Sequence, residues 1–179
     1  MSDFKDLFGD WRPDDEAHKL PEGSPSEPEN RTHRRLNEKE VRVINVFEGL
    51  IEAAQEGSPA QASSTTFVLL RDNQGREFRI FVLRDVAYSI SMAMDSETPD
   101  RPFTHDLMKI VIERLGATVE RITIDDLWQD TFYAKISLTH GAETIDIDAR
   151  PSDAIAIALR FHAPIYVAES VLEAAQPES

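Results

Sequence analysis

Hydrophobic and polar residues alternate most regularly over residues 131–139. Every second position there is apolar: Phe132, Ala134, Ile136 and Leu138. A period of two is typical of a β-strand with one buried face, so we predict a strand with these four side chains directed inward. Similar but weaker patterns predict six further strands, at residues 41–50, 66–70, 78–82, 119–124, 144–148 and 165–167.

Helical periodicity is clearest over residues 104–115. Apolar residues recur there at intervals of three and four: Leu107, Ile110, Val111 and Leu115. Gly116 follows at the position where helix ends favour glycine. Two more helices are predicted at 84–94 and 152–161, with a short terminal helix at 171–175.

The segments between these elements define the organisation of the chain. Asp72-Asn73-Gln74-Gly75 is a turn sequence that joins two strands into a hairpin, and residues 53–64, rich in Ser, Gln and Ala, are predicted to form a loop. The pattern predicts an α+β fold: one compact domain over residues 38–175, with a mixed, mainly antiparallel sheet and helices packed on it. Residues 1–37 are predicted to be a disordered acidic tail, and residues 176–179 a short C-terminal tail.

The predicted N-terminal tail contains one apolar pattern. Phe4, Leu7, Phe8 and Trp11 are spaced at i, i+3, i+4 and i+7, as in a helix that binds a groove of a protein partner. Two alternatives stay open: these residues dock on the surface of the same chain, or the spacing is fortuitous in a short segment. Gly9 disfavours a helix by about 1 kcal/mol.

Composition excludes several classes of protein. The net charge is −14, and both tail and body are acidic, which argues against tight nonspecific binding of nucleic acid but not against cleavage of it. The absence of cysteine excludes disulfides, thiolate chemistry and Cys-ligated zinc. With no apolar run of about 20 residues and no signal-peptide pattern, we expect a cytoplasmic, bacterial-type protein without a membrane segment.

Candidate functional groups concentrate in residues 148–154, where a predicted strand passes into a predicted helix. Pro151 suits the first helical turn, because its missing N–H has no partner there. Ser152 and Asp153 suit the same turn as capping groups, and Asp153 also opposes the helix dipole. Asp148 and Arg150 flank the junction, so that two carboxylates and a guanidinium lie within six residues.

A second junction repeats this arrangement. In residues 100–106 an Arg-Pro pair again precedes a hydroxyl and an aspartate, and a predicted helix follows. Arg101 occupies the place of Arg150, and the helix begins with His105 and Asp106.

Five short blocks, including both junctions, resemble the bifunctional nuclease domain family over roughly residues 41–175. They occur in the family's order: Arg-Pro-Phe-Thr-His-Asp-Leu (101–107), Leu-Gly-Ala (115–117), Thr-Phe-Tyr-Ala (131–134), Ile-Asp-Ala-Arg-Pro-Ser-Asp-Ala (147–154) and Ala-Pro-Ile-Tyr-Val (163–167). The resemblance implies a small α+β domain, often oligomeric, with nuclease activity on DNA or RNA in some members.

The residues suggest how such a nuclease would work. Asp148 and Asp146 project from one face of a strand and suit a hard divalent ion such as Mg²⁺ or Mn²⁺, which would activate water and stabilise a phosphoryl transition state. Arg150 and Arg101 are candidates for binding phosphate.

The histidine and the two helix-start aspartates complete the candidate site. His105 is a candidate for proton transfer, with Asp106 and Asp153 as further catalytic candidates. Because neighbouring residues at a helix start point about 100° apart, His105 needs a carboxylate other than Asp106, from the cluster of 148–153.

One departure from the family pattern supports a different hypothesis. Where the family usually reads apolar-Pro-Ile-x-Ile-Gly-x-x-Glu, the expected Gly falls at Leu83 and the expected Glu at Val86, with Asp85 adjacent. The alternative function is therefore a non-catalytic interaction or regulatory module, in which Arg150 pairs with Asp148 or Asp153 only to fix the helix start. An open cleft containing Asp148, Arg150 and His105 would favour the enzyme, and mutually satisfied, covered side chains would favour the module.

We also expect a homodimer. Residues 155–159 and 132–138 are apolar enough to bury more surface than one short sheet covers. The family resemblance likewise implies oligomers. The interface is expected within residues 41–175, with residues 1–37 dispensable for it.

Overall fold

The computed structural model describes residues 37–53, 61–129 and 131–175. Phe4, Leu7, Phe8 and Trp11 lie outside the described residues. Seven strands form one sheet: β1 (Glu38–Ala53), β2 (Gln61–Asp72), β3 (Glu77–Val82), β4 (Ala117–Trp128), β5 (Thr131–His140), β6 (Glu143–Ala149) and β7 (Ile165–Ala168). Within these described residues, four helices accompany it: α1 (Arg84–Met94), α2 (Thr104–Arg114), α3 (Pro151–Phe161) and α4 (Glu169–Ala174).

The sheet is mixed and mainly antiparallel, as predicted. Its strand order is β3-β2-β1-β7-β4-β5-β6. Strands β1, β2 and β3 form one antiparallel group and β4, β5 and β6 form another. The short strand β7 joins the groups, antiparallel to β1 and parallel to β4. Helix α3 directly precedes β7, which is the central strand of the seven, and it therefore lies over the middle of the sheet.

The core lies between the sheet and helices α1, α3 and α4. Ile155 and Ile157 of α3 are fully buried, as are Ile122 and Ile124 of β4. The inward face of β5 is confirmed: Ala134 and Ile136 are buried, and Phe132 and Leu138 pack against the core. Among the described residues, no helix is long and apolar enough to cross a membrane.

The predicted loop at 53–64 is wrong in part. Strand β1 continues to Ala53 and β2 begins at Gln61, with these two residues paired across the hairpin. Ladder hydrogen bonds come from the backbone, so small polar residues continue a strand when a partner strand runs beside it. The hairpin of β2 and β3 around Gly75 is confirmed.

Most apolar residues of α2 stay outside the core, although Ile112 packs against it. His105 is the buried residue of this helix. Five large apolar side chains at its surface are 40–70% exposed: Leu107, Met108, Ile110, Val111 and Leu115. We refer to these five residues as the apolar α2 surface. The periodic spacing predicted the helix correctly, but the exposed apolar residues that form it do not pack on the sheet of the same chain.

The stretches from which we expected the dimer are buried within one chain instead. Residues 155–158 have no exposed surface, and Ala134 has none either. Helix α3 packs on strand β5 within one chain, so the apolarity of these two stretches does not by itself indicate a second subunit.

Candidate active site

The two Arg-Pro junctions meet at one open cleft of about 850 Å³ between α1, β6 and the first turns of α2 and α3. Its walls are formed by Asp85, Val86, Tyr88, Ser89, Phe103, Thr104, His105, Met108, Ile136, Ile147, Asp148, Ala149, Arg150 and Asp153. Three of the candidate residues, Asp148, Arg150 and His105, thus border the same space, together with Asp153.

The start of α3 presents Arg150 and Asp153 to this cleft. Arg150 is the residue before the helix, with an extended backbone, and Pro151 occupies the first turn as predicted. One turn later, Asp153 Oδ2 accepts a hydrogen bond of 2.7 Å from Arg150 Nε. The Arg150 side chain is 67% exposed, and neither of its terminal NH₂ groups makes a hydrogen bond with the described residues. Arg150 is therefore held in place with its outer edge free for an anion.

Asp153 also provides the carboxylate that His105 requires. His105 Nε2 lies 3.2 Å from Asp153 Oδ1, and His105 Nδ1 lies 2.9 Å from the hydroxyl of Ser89. Both contacts are satisfied when Nε2 carries the proton and donates to Asp153, while Nδ1 accepts the Ser89 proton. The imidazole is buried, whereas the Asp153 side chain is 24% exposed, so the carboxylate is the member of the pair that faces the cleft.

Behind His105 lies a buried arginine that sequence reasoning missed. Arg160 Nη2 donates to Ser89 Oγ at 3.0 Å, and Nη1 donates to the carbonyl oxygens of Ser89 and Ala156. Arg160 Nε donates to Asp106 Oδ1 at 2.6 Å. The signal was present in the sequence: Arg160 follows Asp153 by seven residues, on the same face of a helix that is otherwise apolar.

Asp106 belongs to this supporting network and not to the cleft wall. Its Oδ2 accepts a hydrogen bond from the backbone N–H of Phe103 at 3.0 Å, which caps α2, while Arg160 holds its Oδ1. Burial alone would raise the pKa of Asp106. The hydrogen bonds from Arg160 and Phe103 and the charge of Arg160 outweigh burial, so that this pKa is lowered.

Asp146 and Asp148 lie on the same strand but have different surroundings. Asp146 accepts a hydrogen bond of 2.7 Å from Ser137, its cross-strand partner, and does not line the cleft. Asp148 borders the cleft, and its carboxylate has no hydrogen bond or ion pair within the described part of the chain. Arg101 is exposed in the loop before α2 and is not part of the cleft wall.

The departure from the family pattern also falls at this cleft. Val86 is buried and belongs to the core, while Asp85, in the first turn of α1, is exposed and borders the cleft. Leu83, which stands where the family has glycine, precedes α1 with an extended backbone of negative φ, so no left-handed conformation is required there. The cleft thus retains a carboxylate from this segment, one residue earlier than the family pattern places it.

The cleft offers a metal ion a few carboxylate oxygens and not a complete set of protein ligands. The described residues include no group of three or more His, Asp or Glu side chains that is arranged to hold an ion. Asp153 is already engaged by His105 and Arg150. Asp85 and Asp148 remain, which fits an ion such as Mg²⁺ that takes one or two protein carboxylates and keeps several waters.

Comparison with known proteins places the chain in a family. The family model described as the bifunctional nuclease domain matches residues 68–179, more than half of the chain. An uncharacterized protein of Mycobacterium tuberculosis is 39% identical over 113 residues, which cover 63% of this chain and 67% of that protein. Bifunctional nuclease 1 of Oryza sativa subsp. indica is 30% identical over 145 residues, covering 71% of this chain and 44% of the rice protein. Bifunctional nuclease 1 of Arabidopsis thaliana is 28% identical over 61% of this chain and 35% of its own length.

Proposed function

We propose that this chain, which belongs to the bifunctional nuclease domain family, hydrolyses phosphodiester bonds of DNA or RNA in the cleft between α1, β6 and α3. One observation carries the proposal: the exposed guanidinium of Arg150 and the His105–Asp153 pair border the same open cleft. A phosphate-binding group beside a proton-transfer pair is what hydrolysis of a phosphodiester requires. The rice and Arabidopsis relatives, which are named as bifunctional nucleases, support the same chemistry.

Arg150 has the role of binding the scissile phosphate. Its Nε is fixed by Asp153, which leaves both terminal nitrogens to donate side by side to two oxygens of a phosphate. Because the guanidinium is held by one residue of the site, phosphate binding also sets the distance between phosphorus and the Asp153 carboxylate.

Asp153 and His105 have the role of moving protons. The attacking water gives its proton to the Asp153–His105 pair, and the same pair returns a proton to the leaving oxygen. Ser89 holds His105 Nδ1, so that Nε2 stays directed at Asp153. Asp106 and Arg160 support this arrangement from behind and do not contact the substrate.

A Mg²⁺ or Mn²⁺ ion would be held by Asp148 together with Asp85, with water and phosphate oxygens as its other ligands. When bound, the ion supplies Lewis acidity to the phosphate oxygens and lowers the pKa of a coordinated water. The Asp146 carboxylate accepts a hydrogen bond from Ser137 and is not part of this proposed ligand set.

A second function is favoured by one observation. Val86 is buried where the family has a glutamate, and this is the change expected in a non-catalytic interaction or regulatory module on the same fold. In that case the Arg150–Asp153–His105 contacts would only order the two helix starts. The outcome of the cleavage assay separates the two functions.

We further propose that the protein is a homodimer that buries the apolar α2 surface. Five large side chains that are 40–70% exposed on one helix form a patch larger than the scattered apolar residues of a monomer. Met108 belongs both to this surface and to the cleft wall, so the partner subunit would lie at the rim of the site. The tail residues Phe4, Leu7, Phe8 and Trp11 are proposed to bind a separate protein partner.

The test of the nuclease proposal is cleavage of single-stranded DNA and of RNA with Mg²⁺ or Mn²⁺ by the full chain and by Asp148→Asn. We expect the wild type to cleave and the variant to lose most of the activity, since it loses a carboxylate of the cleft. Equal cleavage by both proteins would indicate a contaminating nuclease and would leave the interaction module as the better account.

A further inference from the structure

Three phenylalanines form a row on the face of the sheet opposite the helices. Phe47 of β1 is paired with Phe67 of β2, and Phe67 is paired with Phe81 of β3. Their sequence neighbours Val68 and Ile80 point into the core, so the three rings point away from it. We refer to Phe47, Phe67 and Phe81 as the aromatic row.

The rings of this row are close together and open to solvent. Phe47 and Phe67 are stacked with 5.4 Å between their centroids and 23° between their planes. Phe67 and Phe81 meet edge to face at 6.0 Å. Phe81 is 63% exposed and Phe47 is 39% exposed, so π-faces remain available. Cross-strand aromatic pairs stabilise a sheet on either of its faces. Stabilisation alone therefore does not explain why these rings lie on the solvent-exposed face.

The charge beside the aromatic row is positive, in contrast to the chain as a whole. The guanidinium of Arg79 lies 5.2 Å from the centre of the Phe67 ring. Arg79 is paired with Leu69 in the row next to the aromatic row, and the row beyond it contains Arg42 paired with Arg71, which is hydrogen-bonded to Glu77. These two neighbouring rows therefore hold three arginines and one glutamate, and Arg42 and Arg79 make no ion pair with any described residue.

We propose that the aromatic row, with Arg79 and Arg42, binds single-stranded nucleic acid. Bases stack on the exposed rings of Phe81 and Phe47, which Phe67 holds in place between them, and the two arginines contact the phosphates. Stacking on exposed rings is tolerant of sequence because every base has a π-face, and sheets that carry two or three exposed aromatics bind unpaired bases in this way. A base pair within a duplex cannot reach the rings, so the surface selects single strands.

The position of the aromatic row relates it to the cleft, and here the inference rests on the proposed function. Strand β3 is an edge strand, and Phe81 precedes Asp85 of the cleft wall by four residues. A nucleic-acid strand bound on the outer face of the sheet therefore passes around this edge to reach the cleft. A second copy of the chain is a poorer occupant, because three rings flanked by arginines offer less apolar area than the roughly 800 Å² per partner of a standard interface.

The test is the binding of a fluorescently labelled oligothymidylate to the full-length protein. Fluorescence anisotropy reports the binding, and EDTA is present so that no cleavage occurs. Phe67→Leu and Phe81→Leu keep apolar bulk but remove the ring. Each is expected to weaken binding, since the loss of one stacked base costs about 5- to 150-fold in affinity. Phe81→Tyr keeps the ring and should bind like the wild type. Ile145→Ala removes exposed apolar bulk from β6, outside both the aromatic row and the cleft wall, and is the control that should have no effect.

The arginine contribution has its own signature. Arg79→Gln should lower the slope of log K against log salt by about 0.7, the value for one phosphate contact to a single strand. Unchanged affinity in both Phe→Leu variants, or a wild type that does not bind the oligonucleotide, would overturn the proposal. So would a change of molecular mass in Phe81→Leu with binding intact, since the row would then be an interface between copies.

The outcome of the binding test can be distinguished from the outcome of the cleavage test. A wild type that binds through the row but does not cleave supports the binding surface and rejects the enzyme. Cleavage that depends on Asp148 but is indifferent to Phe67 and Phe81 keeps the enzyme and rejects the surface.

Discussion

His105 and Asp153, separated by 48 residues in the chain, meet through a contact of 3.2 Å between Nε2 and Oδ1. Each residue stands in the first turn of its own helix, so the contact joins the starts of α2 and α3. Arg160 holds the same two helices together from the inside through Asp106. The cleft therefore has a fixed inner wall, and its outer members, Arg150 and Asp148, border the solvent.

The inner wall should be costly to disrupt. Arg160→Met removes the partner of Asp106 and of the Ser89 hydroxyl, and leaves a largely buried carboxylate uncompensated. We expect the free energy of unfolding to fall by about 3 kcal/mol, since breaking a buried ion pair from one side typically costs 3–5 kcal/mol. Urea unfolding followed by circular dichroism measures this change.

The matched control for Arg160 is Arg114→Gln. Arg114 is an exposed basic residue in the last turn of α2, so its loss should change stability by no more than about 0.5 kcal/mol. An effect of Arg160→Met as small as that of the control would mean that the Arg160–Asp106 contact does not support the fold.

The lowered pKa of Asp106 predicts how stability depends on pH. A carboxyl group whose pKa is lower in the folded chain than its ordinary value of 3.8 contributes stability above that value, and loses it as pH falls through the folded pKa. The wild type should therefore lose stability below about pH 4, and Asp106→Asn should lose less over the same interval. Unfolding curves at a series of acidic pH values provide the comparison, and parallel pH profiles would contradict the assignment.

The apolar α2 surface should carry the dimer. Val111→Asp places a charge in its middle, so we expect light scattering to give the dimer mass for the wild type and the monomer mass for the variant, with unchanged circular dichroism. Leu83→Asp introduces the same charge at another exposed apolar residue and should remain dimeric. A chain beginning near Asn37 should also remain dimeric, and a monomer in that case would assign assembly to the N-terminal residues.

The N-terminal apolar residues are predicted to recruit a separate protein. Leu7→Ala combined with Trp11→Ala should abolish co-purification of that partner, because two of the four anchors of the proposed groove-binding helix are lost. Retrieval of the same proteins by wild type and variant would show that these residues serve no such contact.

Local sequence signals predicted much of the fold. The turn around Gly75, the alternation of β5 and the Arg-Pro helix starts each depend on a few adjacent residues, and all are present. What the sequence did not indicate depends on tertiary context. The continuation of β1 to Ala53 requires its partner strand, and the insertion of β7 between β1 and β4 requires the whole sheet.

The candidate site shows the same division. The clustering of Arg150 and Asp153 is local and was expected, and the need of His105 for a distant carboxylate was expected as well. The burial of Arg160 and the direction of Asp146 toward Ser137 depend on how helices and strands pack, which no single segment determines.

The most direct test of the account is cleavage of single-stranded nucleic acid by Asp153→Asn, compared with Asp146→Asn as a matched aspartate outside the cleft. Asp153→Asn keeps the size of the side chain but cannot accept the proton of the attacking water, so we expect kcat to fall about 10²- to 10⁴-fold. Asp146→Asn should cleave like the wild type. Equal activity of the two variants would contradict the assignment of Asp153 and His105 as the proton-transfer pair.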